Sequence, residues 1–345
     1  MYEEYQTVVK RSIVESRAGL VEPTEPARDE AEETVLHEED DKVDLEAADA
    51  EEESVLAAET GPEPDTEQIE EDDEAVETPG EPEPVAPKAV MTADIVADAK
   101  VLRTFLEQVE AVTDEAKVRL EPDGIHVTAV DPAHVQLVEI TLPLDSLEQY
   151  RVFEDGRRAV SPCDLGLDVE KLLGVLRKLK GKVSLAFRFG GVPNERLEVT
   201  QGGSSREMGL VDTAGMTDPR VPDLNFPAKV ALDGKSFLDV LKDAGEVSDH
   251  LAVTVTPTAL RFEAEGDVDR YRHEFPAGTD AVEYVTTVTE DYRSLFPLDY
   301  LVNIAKTVRQ SRLVLWLGTD FPLRIDWDGE TRGTFLTAPR IEQPD

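Results

Sequence analysis

Three groups of residues in this sequence could carry chemistry, each of a different kind. The 75 carboxylates, in runs such as Glu70-Glu71-Asp72-Asp73-Glu74, could supply acid–base pairs or the ligands of a metal-dependent hydrolase. The glycine pairs Gly190-Gly191 and Gly202-Gly203 could cradle a phosphate. Cys163 could act as a nucleophile, because a thiolate is intrinsically reactive.

The spacing of these residues argues against each reaction. On a chain with a net charge of -40, carboxylates lie near one another by chance. Neither glycine pair is followed by the Lys-Ser/Thr of a phosphate-binding loop or enters a helix as GxGxxG, so both predict hairpin turns. Five scattered histidines without paired spacing argue against a structural zinc site, and a single cysteine excludes an internal disulfide framework. The sequence therefore predicts a protein that is not an enzyme, with no metal and no cofactor.

Charge is distributed unevenly along the chain. Residues 1–90 carry 31 acidic and 6 basic side chains, whereas residues 91–345 carry 44 and 29. A segment with so many like charges cannot bury enough apolar surface to offset the conformational entropy that it would lose on folding. The composition therefore predicts an acidic disordered tail over residues 1–90. Only 10 of the 29 basic residues in the body are lysine, and this acidic balance is typical of the salt-rich cytoplasm of a halophile. No apolar stretch predicts a signal peptide or membrane span, so we expect a cytoplasmic protein.

Four segments of the body show helical periodicity with one shared pattern of apolar residues. The pattern places apolar side chains at i, i+3, i+4 and i+7, so each helix has one apolar stripe and one polar face. The positions are Leu102, Phe105, Leu106 and Val109; Val169, Leu172, Leu173 and Leu176; Phe237, Val240, Leu241 and Ala244; and Leu301, Ile304, Ala305 and Val308.

The spacing of these segments indicates an internal duplication. Shifting Leu102 by 135 residues lands on Phe237, and the same shift takes Ile125, in a predicted strand, to Leu260. The second and fourth helices lie about 131 or 132 residues apart. A duplication of this period predicts an α+β fold of two similar domains, each with two helices on a strand-rich antiparallel sheet.

Between the two halves, residues 211–227 read VDTAGMTDPRVPDLNFP and combine Gly, Pro and Asp without periodicity. This composition predicts an extended linker. We therefore divide the chain into the tail (1–90), a first domain (91–210), the connecting linker (211–227) and a second domain (228–345).

Several stretches of the body match a known family in order and spacing. The first reads MTADIVADAKVLRTFLEQVEAVTDEAKVRLEPDGIHVTAVDPAHVQLVEITL and includes the turn Asp131-Pro132-Ala133-His134-Val135. Later stretches read SLFPLDYLVNIAK, TDFPLRI and TAPRIEQPD. Together they resemble the PCNA sliding clamps, of the archaeal type. The resemblance covers nearly all of residues 91–345, and the tail has no counterpart in it.

The resemblance implies the DNA-clamp fold in a homotrimeric, pseudo-sixfold ring that encircles duplex DNA without reading its sequence. If every apolar stripe faces a sheet, the polar faces of all four helices line one surface, where cations would meet phosphates. Glu110 and Glu246 stand where the family usually carries cations, which weakens the expected contact. The residues predicted to contact DNA are Lys100, Arg103, Lys171, Arg177, Lys178, Lys180, Lys235, Lys242, Lys306 and Arg309.

The resemblance also implies a docking pocket beneath the linker. In the family this pocket receives short motifs of the DNA polymerase, the clamp loader and other replication and repair proteins, so the clamp tethers the polymerase for processivity. Taken singly, Val130, Val135 and Leu137 fit ordinary core strand positions equally well. The matching positions are Val130, His134, Val135, Leu137, Val221, Pro222, Pro322, Leu336, Ala338 and Pro339.

Alternatives stay open at this point for both parts of the chain. The body could be a clamp-fold scaffold that does not encircle DNA, since its helices carry mixed charge, or the metal-dependent hydrolase considered above. The tail could be an acidic arm that competes with DNA for the helices, or a spacer that recruits another protein. It could also be untranslated, because the clamp-like sequence begins at Met91. A clamp would be nucleoid-associated in the cytoplasm.

Overall fold

A computed structural model of the chain describes residues 89–216 and 218–340. The predicted acidic tail lies outside the described residues, except for its last two positions. Within the described part of the chain, no helix is long and apolar enough to cross a membrane.

The first half of the described body contains ten strands, two helices and a short 3₁₀ turn at Leu144–Ser146. The elements are β1 (Val90–Asp98), α1 (Ala99–Glu110), β2 (Glu115–Glu121), β3 (Gly124–Val130), β4 (Gln136–Pro143), β5 (Gln149–Glu154), β6 (Arg157–Arg158), β7 (Cys163–Asp168), α2 (Val169–Leu176), β8 (Lys182–Gly190), β9 (Arg196–Gln201) and β10 (Ser204–Gly209).

The second half of the described body contains nine strands and two helices. The elements are β11 (Ala228–Asp233), α3 (Gly234–Gly245), β12 (His250–Val255), β13 (Ala259–Glu265), β14 (Arg270–Pro276), β15 (Val282–Tyr284), β16 (Tyr292–Pro297), α4 (Leu298–Val308), β17 (Arg312–Leu317), β18 (Leu323–Trp327) and β19 (Arg332–Thr337).

Each helix begins directly after a strand, and an aspartate caps three of the four. The carboxylates of Asp98, Asp168 and Asp233 accept hydrogen bonds of 2.7, 2.8 and 2.9 Å from N–H groups in the first turns of α1, α2 and α3. Each cap satisfies a donor that the helix leaves unpaired and stabilises the helix by about 1 kcal/mol. α4 instead begins after Pro297, whose side chain makes no capping hydrogen bond.

All sixteen apolar positions predicted from the helical period are buried, which confirms the four helices. α1 packs against both α2 and α4, and α4 packs against α3, so the helices form one layer in the order α2-α1-α4-α3. Phe237 of α3 packs against Phe262 of β13 with ring centroids 6.0 Å apart, at a typical helix–sheet contact. The polar faces of the helices therefore lie on the side of this layer away from the sheets.

The strand order repeats between the two halves. The first half forms β10-β9-β8-β1-β5-β6, and the second half forms β19-β18-β17-β11-β15, which is the same order apart from the extra β6. The strands β4-β3-β2-β7 likewise match β14-β13-β12-β16. All of these pairs are antiparallel, and the predicted α+β fold with two helices per half is confirmed.

The two halves are joined where β19 pairs with β4, which makes one nine-stranded sheet. The counterparts of these two strands are β10 and β14, and each is an edge strand without a second partner in the part of the chain that the structure describes. Apart from one bridge between Val211 and Gly166, residues 210–216 and 218–227 contain no strand or helix. At this bridge the backbones lie so close that a Cβ on Gly166 would be 2.1 Å from the carbonyl oxygen of Val211.

Candidate nucleic-acid interface and docking pocket

The ten predicted DNA-contacting cations all lie on the four helices or directly after α2 and α4. Nine of them are exposed, and Arg103 is half-buried. The structure therefore brings the predicted set onto one layer, although it does not give every member a free charge.

Two of these cations make contacts inside the protein. Arg103 on α1 donates hydrogen bonds of 3.0 and 2.8 Å to the carbonyl oxygens of Leu176 and Leu179 at the end of α2. Arg177 lies 2.8 Å from the Glu110 carboxylate, so it ties the end of α2 to the end of α1. The other eight make no ion pair within the described residues, and they remain available to a phosphate backbone.

Acidic side chains on the same layer are partly occupied as well. Glu110 is held by Arg177. Burial, and then the negative charge of Asp243, raises the pKa of Tyr271 on β14. Glu107, Asp239 and Glu246 stay on the helices beside the cations. The surface is therefore weakly cationic and suits loose contact with phosphates more than tight binding.

The Asp131 turn between β3 and β4 is held by one carboxylate. Asp131, which is only 6% exposed, accepts hydrogen bonds from the N–H groups of Ala133 (3.1 Å), Val135 (2.7 Å) and Gln136 (2.6 Å). Three donors to one side chain close the loop tightly. His134 consequently takes a left-handed conformation with φ of 56° and is exposed at the tip.

Next to this turn, apolar side chains face away from the helices. Leu137 on β4 and Leu336 on β19 stand directly opposite each other across the joint of the two halves. Their neighbours Val138 and Phe335 belong to the helix-facing core, so alternation along the strands turns the two leucines to the outer face. Val130, half-buried on β3, is the next residue across from Leu137. Together they form an apolar floor on the outer surface.

The rim of this floor comes from the chain after β19. The N–H of Ala338 donates to the carbonyl oxygen of Val135 over 2.8 Å, which fixes the carboxy-terminal strand to the Asp131 turn. Ala338 and Pro339 are half-buried. Pro322 immediately precedes β18, the strand that pairs with β19. The predicted pocket residues of the two domains therefore lie on the neighbouring strands β3, β4 and β19 or directly beside the ends of β4, β18 and β19.

The linker crosses the outer face of the nine-stranded sheet above these strands. At its start, Val211 forms a bridge with Gly166 of β7. The carboxylate of Asp218 then lies 2.8 Å from the Nζ of Lys117 on β2. That lysine is the first cause of the lowered pKa of Asp218. Further along, Phe226 packs on β17. The sheet order between β2 and β17 is β3, β4, β19 and β18, so the linker residues Val221 and Pro222 lie between these two contacts.

Sequence reasoning missed the aromatic anchor at the end of the linker. Phe226 makes edge contacts with Trp316 and Phe321 at centroid distances of 5.8 and 5.3 Å. Lys229 and Arg324 both lie over the Trp316 ring, at 3.8 and 4.6 Å. Burial and then Arg324 lower the pKa of Lys229. The available signal was that Phe226, which precedes a proline, is the single aromatic residue of the linker.

One group of possible metal ligands occurs among the described residues, at the β2–β3 hairpin. The ligand atoms of Glu121, Asp123 and His126 all lie within 4.8 Å of one another. The imidazole already has partners on both nitrogens, Asp123 at 2.8 Å and Thr141 at 3.0 Å. Burial is the largest single influence on the pKa of Asp123 and raises it, but the hydrogen bond to His126, the charge interaction with His126 and smaller contributions together outweigh burial, and the net shift is downward. The cluster is accounted for as a hydrogen-bonded hairpin.

Comparison with known proteins matches the same region of the chain. Residues 91–188 match the family model of the proliferating cell nuclear antigen N-terminal domain, and residues 220–339 match that of its C-terminal domain. The DNA polymerase sliding clamp of Methanococcoides burtonii is 33% identical over 253 residues, covering 71% of this chain and 97% of the relative. That of Methanosarcina acetivorans is 34% identical over 263 residues, covering 74% and 98%.

Solved structures give the same likeness. The PCNA of A. fulgidus, solved with the C-terminal region of FEN-1 bound to it, superposes with a TM-score of 0.63 at 27% identity, covering 73% of this chain and 100% of that one. The fold is shared as well with PCNA from Thermococcus kodakaraensis, at a TM-score of 0.61 and 24% identity, covering 72% and 100%.

Proposed function

The chain belongs to the proliferating cell nuclear antigen family, and from that premise we propose that it is a DNA polymerase sliding clamp. It closes into a homotrimeric ring around duplex DNA, tethers the replicative polymerase, and docks the clamp loader and other replication and repair proteins. It contributes no reaction of its own. Its place is the nucleoid within the cytoplasm, and its two clamp domains are residues 91–210 and 228–345, joined by the linker.

The observation that carries this proposal is the pair of free strand edges. Inside the chain, β19 of the second half pairs with β4 of the first. The counterparts of those strands, β10 and β14, are edge strands at opposite ends of the repeat. If β10 of one subunit pairs with β14 of the next, every joint repeats the one inside the chain. Two repeats per chain then require three chains for the pseudo-sixfold ring that the family implies.

The repeat also supplies the register of that joint. Matching the strand pairings of the two halves places Glu207 where Leu336 stands and Arg270 where Leu137 stands. Glu207 therefore faces Arg270 of the next subunit on the outer surface. Met208 on β10 is buried, whereas its neighbours Glu207 and Gly209 are exposed. Because side chains alternate between the two faces of a strand, Glu207 faces outward, as this register requires.

Weak cationic contact is sufficient for a ring. A closed ring is retained by topology, and the eight cations per chain that make no ion pair within the described residues provide sequence-independent contacts that allow sliding. Acidic neighbours on the helices keep those contacts loose.

The docking function rests on the apolar floor of Leu137 and Leu336 beneath the linker, because apolar pockets that receive anchoring side chains are the usual origin of binding hot spots.

Retention on DNA circles tests the ring directly. The protein is loaded with its clamp loader onto nicked circular DNA, and the bound amount is measured before and after the circle is cut once. Loss on cutting supports encirclement, because the ring slides off a free end. Equal retention on circular and linear DNA would refute it, and absence of retention on either would favour a scaffold that does not encircle DNA.

Docking needs a separate measurement. A peptide from the C-terminal region of a FEN-1 is titrated calorimetrically onto the full chain, alongside the same peptide with its apolar anchors replaced by alanine. Binding of the first peptide and not of the second supports the pocket. No binding of either peptide at any salt concentration would remove the pocket from the proposal without affecting the ring.

A further inference from the structure

One row of outer-face side chains leads from the apolar floor of the docking pocket to the anchored end of the linker. Leu336 of the floor stands directly opposite Arg324 on β18. Arg324 in turn stands opposite Trp316 on β17, and Trp316 stands opposite Lys229 on β11. Residues that stand directly opposite each other on paired strands point to the same face of the sheet. The floor therefore continues into two cations, Arg324 and Lys229, which we call the basic end of the row.

The folded body neutralises one of these two charges. The guanidinium of Arg324 lies 2.9 Å from the carboxylate of Asp326, which is only 2% exposed and also accepts a 2.6 Å hydrogen bond from Thr334. Lys229 makes no ion pair within the described residues, and its Nζ lies 3.8 Å from the centre of the Trp316 ring. Burial and then Arg324 lower the pKa of Lys229, and the attraction of Asp326 does not offset them. The basic end thus keeps a net positive charge beside an apolar floor.

The other half of the chain carries the opposite charge in the same row. By the strand matching used for the subunit joint, the counterparts of Arg324 and Lys229 are Glu198 and Asp94. Asp94 also precedes Lys229 by 135 residues, the period of the duplication. The strand geometry of the repeat is therefore compatible with carboxylates at both positions, and the cations belong to the row that contains the docking floor. Because the fold does not require a basic end, its charge points to an anionic group brought by the segment that docks there.

We propose that the docking pocket prefers segments that carry an aspartate or glutamate beside their apolar anchors, and that Lys229 receives this carboxylate next to Arg324. The inference rests on the proposed docking function and names the chemistry of the partner. Neighbouring strands lie about 4.8 Å apart, so Lys229 is roughly 14 Å from Leu336 along the row. An extended segment covers that distance in about four residues, so the carboxylate lies within about that many residues of an anchor. The linker is fixed at this end of the row, because Phe226 packs on Trp316.

Calorimetric titration of a peptide series onto the full chain tests this preference. The neutral form of the FEN-1 C-terminal peptide carries glutamine at every position that flanks its apolar anchors, and each acidic form carries one glutamate at one of these positions. At the position that reaches the basic end, glutamate should strengthen binding about fivefold, the upper end of what one ion pair near the surface contributes, and lysine should weaken it. A neutral form that binds as tightly as every acidic form would overturn this inference alone. No binding of any form would overturn the docking function and this inference with it.

Variants of Lys229 identify the group that receives the carboxylate, and Arg324 stays unchanged because it holds Asp326. Lys229→Gln should bind the acidic form no more tightly than the neutral form, while binding of the neutral form stays as in the unchanged protein. Lys229→Glu should reverse the preference, so that the lysine form binds more tightly than the acidic one.

The matched control is Lys235→Gln, which removes the same charge from the exposed side of α3 and should retain the preference for the acidic form. Raising KCl from about 0.15 to 1 M should reduce that preference, because the screening length shortens from about 8 to about 3 Å. Equal weakening of the neutral and acidic forms in Lys229→Gln would assign Lys229 a packing role on Trp316 and overturn the inference. So would loss of the preference in Lys235→Gln.

Discussion

Reversing one charge at the proposed subunit joint should open the ring. The joint places Glu207 on β10 opposite Arg270 on β14 of the neighbour. Within one chain, Glu207 lies 3.5 Å from Arg196, and Arg270 lies 2.7 Å from Glu265. Glu207→Arg therefore removes a pair across the joint and sets three arginines close together.

The size of the effect follows from the geometry of facing strands. Opposite charges directly across a strand pair contribute about 0.2 to 1 kcal/mol, and like charges cost a similar amount. One reversal therefore costs about 1 kcal/mol per joint, or about 3 kcal/mol for a ring of three joints. That is about a hundredfold weaker trimer, and screening in molar KCl should reduce the factor.

Sedimentation velocity at low salt measures this dissociation. We expect Glu207→Arg to dissociate at concentrations where the unchanged protein is trimeric, and Glu207→Arg with Arg270→Glu to restore the trimer. Asp328→Arg makes the same charge change in an exposed loop and should leave the trimer intact. A trimer unaffected by the single reversal would refute the register. So would a double variant that is weaker than either single one.

Four further outcomes follow from the contacts described above. Leu336→Ala should weaken FEN-1 peptide binding about tenfold by calorimetry, because it shortens one side chain of the apolar floor, and it should leave DNA-circle retention unchanged. Arg103→Gln should lower the free energy of unfolding by about 1 to 2 kcal/mol in urea, since it removes two charged donors from the end of α2. Lys171→Gln, with no such contact, should instead reduce the salt dependence of DNA binding. Burial raises the pKa of Cys163 to about 11, so its alkylation by iodoacetamide should reach half its maximal rate near that pH; half-maximal alkylation near pH 9 would contradict the burial.

The helices were predictable because their signal is local. The positions around Leu102 and Phe237 repeat at the spacing of one helix face, and a face of that kind must be buried whatever surrounds it. The hairpin glycine at Gly202 was predictable for the same reason, as its φ of 58° lies where glycine is favoured. The duplication extended these local signals to the matching strand orders of the two halves.

Contacts between distant residues were not predictable in this way. Arg103 is at an exposed-looking position of its helix, and only the packing of α1 on α2 shows that it serves the carbonyl end of α2. The Phe226 anchor depends likewise on where the linker crosses β17. In both cases the partner lies more than seventy residues away, and no local period encodes it.

The two kinds of joint in the proposed ring have the same strand geometry and different chemistry. Within the chain, Leu137 faces Leu336, and both are less than a tenth exposed beneath the linker. Between subunits the same positions carry Arg270 and Glu207. A joint that stays closed for the life of the protein benefits from apolar burial, whereas one that opens for loading must expose its surfaces to water without aggregating. A charged pair meets that second requirement, since both partners are well solvated when apart. We therefore expect Glu207→Leu with Arg270→Leu to give a trimer that dissociates more slowly and loads onto circular DNA less readily. Both rates are measured on the same variant. Faster loading of this variant than of the unchanged protein would contradict the assignment of the charged pair to the joint that opens.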